Sequence, residues 1–177
     1  IGSLSKGEYI IDLMNKTGYD IATIGNHEFD YGMEQFRKNL EKADFPYICC
    51  NFTDEKGKQL LDSYRIFEIA GKKVAFVGVD TPATFTSSTP TYFQDSEGNY
   101  IYSFCEDESG QKLYDTVQQA VNGALAEGAD YVIVLAHLGI GADDSPWTSS
   151  ELINHTNGID VVLDGHSHSV IENEHVK

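Results

Sequence analysis

The sequence predicts an α/β fold, a largely parallel sheet covered by helices, and three observations carry that expectation. Amphipathic helical stretches alternate with short apolar runs of strand composition. Two further strand-like runs flank "AGKK" (70–73), a hairpin turn that joins an antiparallel pair to the sheet. Finally, three apolar runs end in crowded polar residues: "IATIGNHEFDYG" (21–32), "YVIVLAHLG" (131–139) and "DVVLDGHSHSV" (160–170). In open α/β sheets, ligands gather beyond the carboxyl ends of the strands.

Each element follows from local pattern. "SKGE" (5–8) has the form of a capping box, with Ser5 as N-cap and Glu8 reaching back. Ile10, Ile11, Leu13 and Met14 then give a helical apolar face, and Gly18 is a natural stop. "DIATIG" (20–25) reads as a short buried strand, "GMEQFRKNLEKA" (32–43) as an amphipathic helix and "PYICCNF" (46–52) as the next strand. The hairpin runs over 63–80. Residues 81–110 are rich in Thr, Ser and Gly, with Tyr100, Tyr102 and Phe104 alternating, and read as a peripheral hairpin. Leu113, Val117, Ala120, Val121 and Ala124 mark a helix stopping near Gly128. The strands "YVIVLAH" and "DVVLDG" follow, separated by the helical "SSELINHT".

A chain of 177 residues fits one domain with a real core, and 41% hydrophobic residues is a globular content. No apolar run is long enough to cross a membrane. The 12 Lys+Arg against 28 Asp+Glu give a net charge of -16, which argues against a nucleic-acid surface. The opening "IGSLSKGEY" has neither a basic n-region nor an h-region, and the chain reads as an interior piece of something longer. Cys49, Cys50 and Cys105 show no CxxC spacing, so they predict neither a disulfide framework nor a zinc knuckle.

The chemistry lies at the strand ends. Asn26, His137, His166 and His168 are candidates to converge on one pocket, with Gly25 and Gly165 permitting tight turns before them. Imidazoles with a neutral amide oxygen suit a borderline divalent transition metal such as zinc, manganese, iron or cobalt. They suit calcium poorly. A lone histidine after a buried strand is usually structural; three such strand ends together favour a site. His27 and Asp30 form a separate pair, in which Asp30 accepts one ring N–H and fixes the tautomer while the other nitrogen faces a substrate. Glu28 is expected to bind backbone rather than metal, and His155 and His175 to lie at the surface.

At these residues the sequence resembles the calcineurin-like metallophosphoesterases, in particular the bacterial 5′-nucleotidase and 2′,3′-cyclic phosphodiesterase branch. "GNHEFDYG", "LAHLG" and "GHSH" carry the resemblance, which extends over essentially all 177 residues. It implies a four-layer α/β sandwich, two mixed sheets flanked by helices, with a dinuclear metal site at the strand ends. By position, Asn26, His137 and His166 would bind one metal and His168 the other. His27 with Asp30 would be the catalytic dyad. The resemblance also implies a nucleotide or other small phosphate ester as substrate, and export to the periplasm, cell wall or exterior.

The family's Asp-x-His and Gly-Asp motifs do not occur upstream of Asn26. The expectation is therefore a catalytic domain over 1–177 lacking its N-terminal strands and the nucleotide-binding C-terminal domain, inactive in isolation. It should be open to self-association along an exposed sheet edge. Two other classes compete: a non-catalytic module holding one structural metal through Asn26 and the histidines, and an amidohydrolase, which also uses HxH. In amidohydrolases HxH typically sits on an early barrel strand, whereas here it comes near the C-terminus. A purely structural site has no need of His27 and Asp30.

Overall fold

The computed structural model describes residues 2–141 and 146–171. Helix α1 (Glu8–Thr17) leads into β1 (Ala22–Thr23), and a 3-10 turn (Asn26–Phe29) leads into α2 (Gly32–Lys42) and β2 (Tyr47–Ile48). Strands β1 and β2 pair in parallel, as the helix–strand alternation predicts. They form one small sheet, far shorter than the apolar runs that contain them.

Strands β4 (Tyr64–Ile69) and β5 (Lys72–Asp80) make the expected hairpin. Its two turn residues, Ala70 and Gly71, both take positive φ, the conformation a tight two-residue hairpin requires. With β7 (Tyr131–His137) and β8 (Val161–Leu163) they build a mixed sheet in the order β4-β5-β7-β8, in which β5, β7 and β8 run parallel. A third ribbon pairs β3 (Thr53–Asp54) with β6 (Tyr102–Ser103) antiparallel.

The layers follow from these pairings. Strand β1 lies against β5 and β7, and α4 (Gln111–Ala126) packs on β4, β5 and β7, with α5 (Ser149–His155) beside it. Gly78 lets the two sheets close up: a Cβ there would stand 2.3 Å from the carbonyl oxygen of Ile48. The Cys50 N–H donates to the Gly78 carbonyl at 2.8 Å across that crossing. One apolar core joins α4 to β5 and β7 through Leu113, Val117, Val121, Val77, Val79, Val132 and Val134. The other is aromatic, with Phe29, Phe36, Phe52, Phe85, Phe93 and Phe104 around Ile24 and Cys49.

Three expectations need correction. The capping box does not form: α1 starts at Glu8 with Gly7 at its N-cap, and the Ser5 hydroxyl accepts from the Tyr9 N–H instead. Gly7, at φ 92, takes the N-cap position, and the Glu8 carboxylate meets Gln35 at 3.2 Å and Lys42 at 3.9 Å. Residues 81–110 are not peripheral either. They hold α3 (Thr84–Ser87) and a 3-10 turn (Pro90–Phe93), and they bury Phe85, Phe93 and Phe104 in the aromatic core. The alternation of Tyr100, Tyr102 and Phe104 comes from the bridge Gln94–Tyr100 and from β6, whose partner is β3 rather than a local hairpin mate.

Candidate metal centre

Three strand ends meet at one rim of the sheets. Asn26 opens the 3-10 turn after β1, His137 is the last residue of β7, and His166 follows β8 by three positions. The Asn26 Oδ1 and His137 Nε2 atoms are 2.8 Å apart, and His166 Nδ1 is 3.3 Å from the same Nε2. Two ligands bound to one cation at about 2.1 Å stand roughly 3.0 to 3.4 Å from each other in octahedral or tetrahedral geometry. The His137–His166 pair falls in that range, and the Asn26–His137 pair, at 2.8 Å, lies just below it, at hydrogen-bond distance. Asn26 is buried, while His137 and His166 are half-buried.

The glycines serve differently from expectation. Gly25 is extended (φ -141, ψ -177), and what it supplies is space: a Cβ there would lie 2.8 Å from three atoms of the His137 ring. Gly165 lies against the other side, where a Cβ would stand 3.3 Å from His137 Nδ1. The left-handed backbone falls on the histidines themselves, at φ 73 for His166 and 52 for His168. Non-glycine residues held there carry strain, a feature that clusters at functional sites.

Burial lowers the pKa of His137 from 6.5 to about 4, reinforced by the nearby His166, His27 and His168 and opposed by Asp164. At neutral pH its imidazole is therefore neutral, with one unprotonated ring nitrogen that a cation can bind. The Asp164 carboxylate, which the sequence reading passed over, ties the rim together. Its Oδ1 accepts from the N–H groups of Leu138 (2.9 Å), Gly139 (3.3 Å) and Gly165 (2.8 Å), locking the ends of β7 and β8 in register. An Asp before a Gly at a strand end is the signal that could have marked it.

Beside this triplet, His27 Nδ1 lies 2.8 Å from Asp30 Oδ2, as expected of the pair, with both residues exposed. Glu28 binds backbone: its Oε2 accepts from the Gly25 N–H at 2.7 Å, and burial raises its pKa. His168 is exposed. Among the described residues no group of three or more His, Cys, Asp or Glu side chains is placed to hold a metal ion, so His168 does not complete a cluster with His137 and His166. An amide and two imidazoles thus fit one borderline divalent cation, and among the described residues no carboxylate joins them for a second. Trp147 packs on the α4 core rather than forming a wall of the site, and 143–145 of the stretch "DDSPWTS" lie outside the described residues. His155 is exposed, stacked on Tyr114 with ring centroids 4.5 Å apart; His175 also lies outside the described residues.

The layered sheets and the polar groups at their carboxyl edge define a calcineurin-like phosphoesterase domain. The solved structure of the calcineurin-like phosphoesterase YfkN from Bacillus subtilis superposes with a TM-score of 0.76 at 28% identity, covering 93% of this chain and 50% of that one. The chain belongs to the family described as "Bacterial capsule synthesis protein PGA_cap", whose sequence model matches residues 4–177. Among curated relatives, it is 30% identical over 172 residues to the NAD 5′-nucleotidase of Haemophilus influenzae, covering 93% of this chain and 25% of that protein. It is 29% identical over 190 residues to the endonuclease YhcR of Bacillus subtilis, covering 98% of this chain and 15% of that protein. The chain thus spans a quarter or less of the length of these curated relatives.

Proposed function

We propose that these residues form part of the catalytic site of a divalent-metal-dependent phosphoesterase acting on nucleotides or related small phosphate esters. The observation that carries this reading is the ligand-like spacing of Asn26 Oδ1, His137 Nε2 and His166 Nδ1 beside the His27–Asp30 pair. A structural metal site would not require that pair. Asn26, His137 and His166 hold the cation, zinc, manganese, iron or cobalt by their donor chemistry, and His168 is available to a second. A divalent cation held there would supply charge stabilisation for a phosphoryl group and lower the pKa of a bound water. His27 donates Nδ1–H to Asp30, and in its protonated form it carries a second N–H on Nε2, whose proton stabilises the transferring group or passes to the leaving oxygen and leaves the ring neutral.

The charge of -16 favours a small phosphate ester over a nucleic-acid polyanion, which a protein meets with basic side chains. No described helix is long and apolar enough to cross a membrane. Similarity to a Thermus thermophilus 5′-nucleotidase precursor, 26% identical with a TM-score of 0.73, supports export. On this reading the 177 residues contribute one part of a longer catalytic protein and hydrolyse esters negligibly alone. They also associate through the edge strand β8, where Val161 and Leu163 are exposed.

The test uses the full-length protein. His27→Ala should leave metal content nearly unchanged and lower turnover on a phosphate ester by roughly a hundredfold, the scale of losing a general acid. His166→Ala should lower metal occupancy itself. If His27→Ala empties the site while turnover per bound metal holds steady, the assignment fails.

A further inference from the structure

An asparagine amide can turn by half a circle with almost no change of shape, exchanging its acceptor oxygen for two N–H donors. For Asn26 the difference is decisive. With Oδ1 toward His137, as the structure has it, the amide presents an acceptor that takes the Nε2–H of the metal-free ring and that faces a cation once the ring proton moves to Nδ1. Turned over, it would aim N–H groups at the same spot and leave no oxygen for a cation. The far side of the amide favours this orientation: Nδ2 faces the carbonyl of Ser87 at 3.5 Å, the long limit of a hydrogen bond, where the reversed amide would set oxygen against oxygen.

Ser87 is the last residue of α3, a helix of only four residues. Carbonyls at a helix end have no partner within the helix, which leaves this one available. So short a helix does not hold itself in place, because nucleation is unfavourable. It is held by the end of β5. The Thr84 hydroxyl donates to Asp80 Oδ2 at 2.8 Å, and the Thr81 N–H donates to Asp80 Oδ1 at 2.9 Å. Asn51 holds Asp80 in turn: its Oδ1 accepts from the Asp80 N–H at 3.0 Å, and its Nδ2 donates to the Asp80 carbonyl at 2.7 Å. Asn51, Asp80, Thr81 and Thr84 are all fully buried. A buried network satisfied at each member is rigid, and its position is transmitted to whatever it anchors.

We propose that Asp80 and Thr84 are positioning residues, which latch α3 to β5 so that the Ser87 carbonyl selects the amide orientation of Asn26 with oxygen facing His137. The orientation itself stands without a bound metal; its consequence for ligation rests on the function proposed above. The test reads the two separately.

In the metal-free protein, long-range proton–nitrogen NMR of the imidazoles reports which nitrogen of His137 carries the proton. A proton on Nε2, donated to Asn26 Oδ1, is the expected wild-type result. A wild-type proton on Nδ1, with Nε2 accepting from the amide, would overturn the proposal without any variant. Thr84→Val removes the hydroxyl at nearly constant shape; it should move part of the population to the Nδ1 tautomer and speed solvent exchange of the Asn26 side-chain amide. Thr84→Ser, which keeps the hydroxyl, should restore the wild-type pattern. A folded Thr84→Val with tautomer and exchange unchanged would overturn the latch. In zinc titrations Thr84→Val should weaken binding about tenfold, the scale of outer-shell losses at metal sites. Unchanged zinc affinity in a variant whose tautomer has shifted would overturn the link to ligation. Absence of zinc binding in every form, with the tautomer shift present, would support the latch and count against the metal function alone.

Discussion

Replacing Gly25 by alanine tests whether the His137 ring must lie where the structure puts it. The backbone at Gly25 is extended, at φ -141 and ψ -177, so alanine adopts it without torsional strain and the whole effect is steric. The new Cβ would meet Cγ, Cδ2 and Cε1 of His137, each at 2.8 Å. Carbon atoms pack at about 3.5 Å or more, so the ring must retreat by roughly 0.7 Å or the β1 end must move. Because the Cβ stands equally far from three ring atoms, it presses on the ring face and tilts or shifts the Nε2 atom out of line with Asn26 Oδ1, now 2.8 Å away. Overpacking of this kind costs about 1–3 kcal/mol. Misplacing one of three ligands should weaken zinc binding by about ten- to a hundredfold, on the scale of perturbed metal-site support. Urea denaturation of the metal-free protein and competition titration with a zinc chelator measure the two effects. Gly25→Ala with wild-type stability and wild-type zinc affinity would refute the close approach.

Further predictions concern the core and pH. Phe29→Ala removes the ring that meets Phe36, Phe52, Phe93 and Phe104 at centroid distances of 4.7 to 5.8 Å. It should cost about 3–5 kcal/mol by urea denaturation, and a loss below 1 kcal/mol would mean the aromatic core does not support the 3-10 turn. Gly78→Ala places a Cβ 2.3 Å from a backbone oxygen that cannot swing away, so it should destabilise by at least about 1–3 kcal/mol; a wild-type denaturation midpoint would contradict the sheet crossing. Burial lowers the folded pKa of His137 from 6.5 to about 4, so the unfolded chain takes up a proton that the folded site refuses. Stability should therefore fall as pH drops from about 6.5 toward about 4. A His137→Gln variant should show a shallower fall over that window than wild type, and identical slopes would show that His137 is not held neutral.

Much of the site was legible because its signals are local. An apolar run ending in Asn-His, Ala-His or Gly-His announces a strand delivering polar groups to the sheet edge, and Asn26, His137 and His166 do meet there. The His27–Asp30 pair was legible too, since three positions of one tight turn bring the two side chains together. What escaped depends on contacts distant in sequence. Asp80 looks like an ordinary polar residue ending β5, and its pairing with Asn51, 29 positions earlier, is visible only once β2 crosses β5 at Gly78. The role of Gly25 was misread for the same reason: glycine suggests a special torsion, whereas here it makes room for a ring 112 positions further on. Residues 81–110 were placed outside the core because their composition is polar. Phe85, Phe93 and Phe104 stand eight and eleven positions apart in a mostly polar stretch, so neither a helical nor a strand period reveals them.

The central claim is that Asn26, His137 and His166 are the ligands of one divalent cation, and the most direct measurement is zinc binding by the 177-residue chain and its variants in isothermal titration. The account predicts one zinc per chain, weakly held, lost in His137→Ala and in His166→Ala, weakened in Asn26→Ala and little changed in His168→Ala. Two zinc ions held tightly by each chain, or binding indifferent to His137→Ala and His166→Ala, would contradict it.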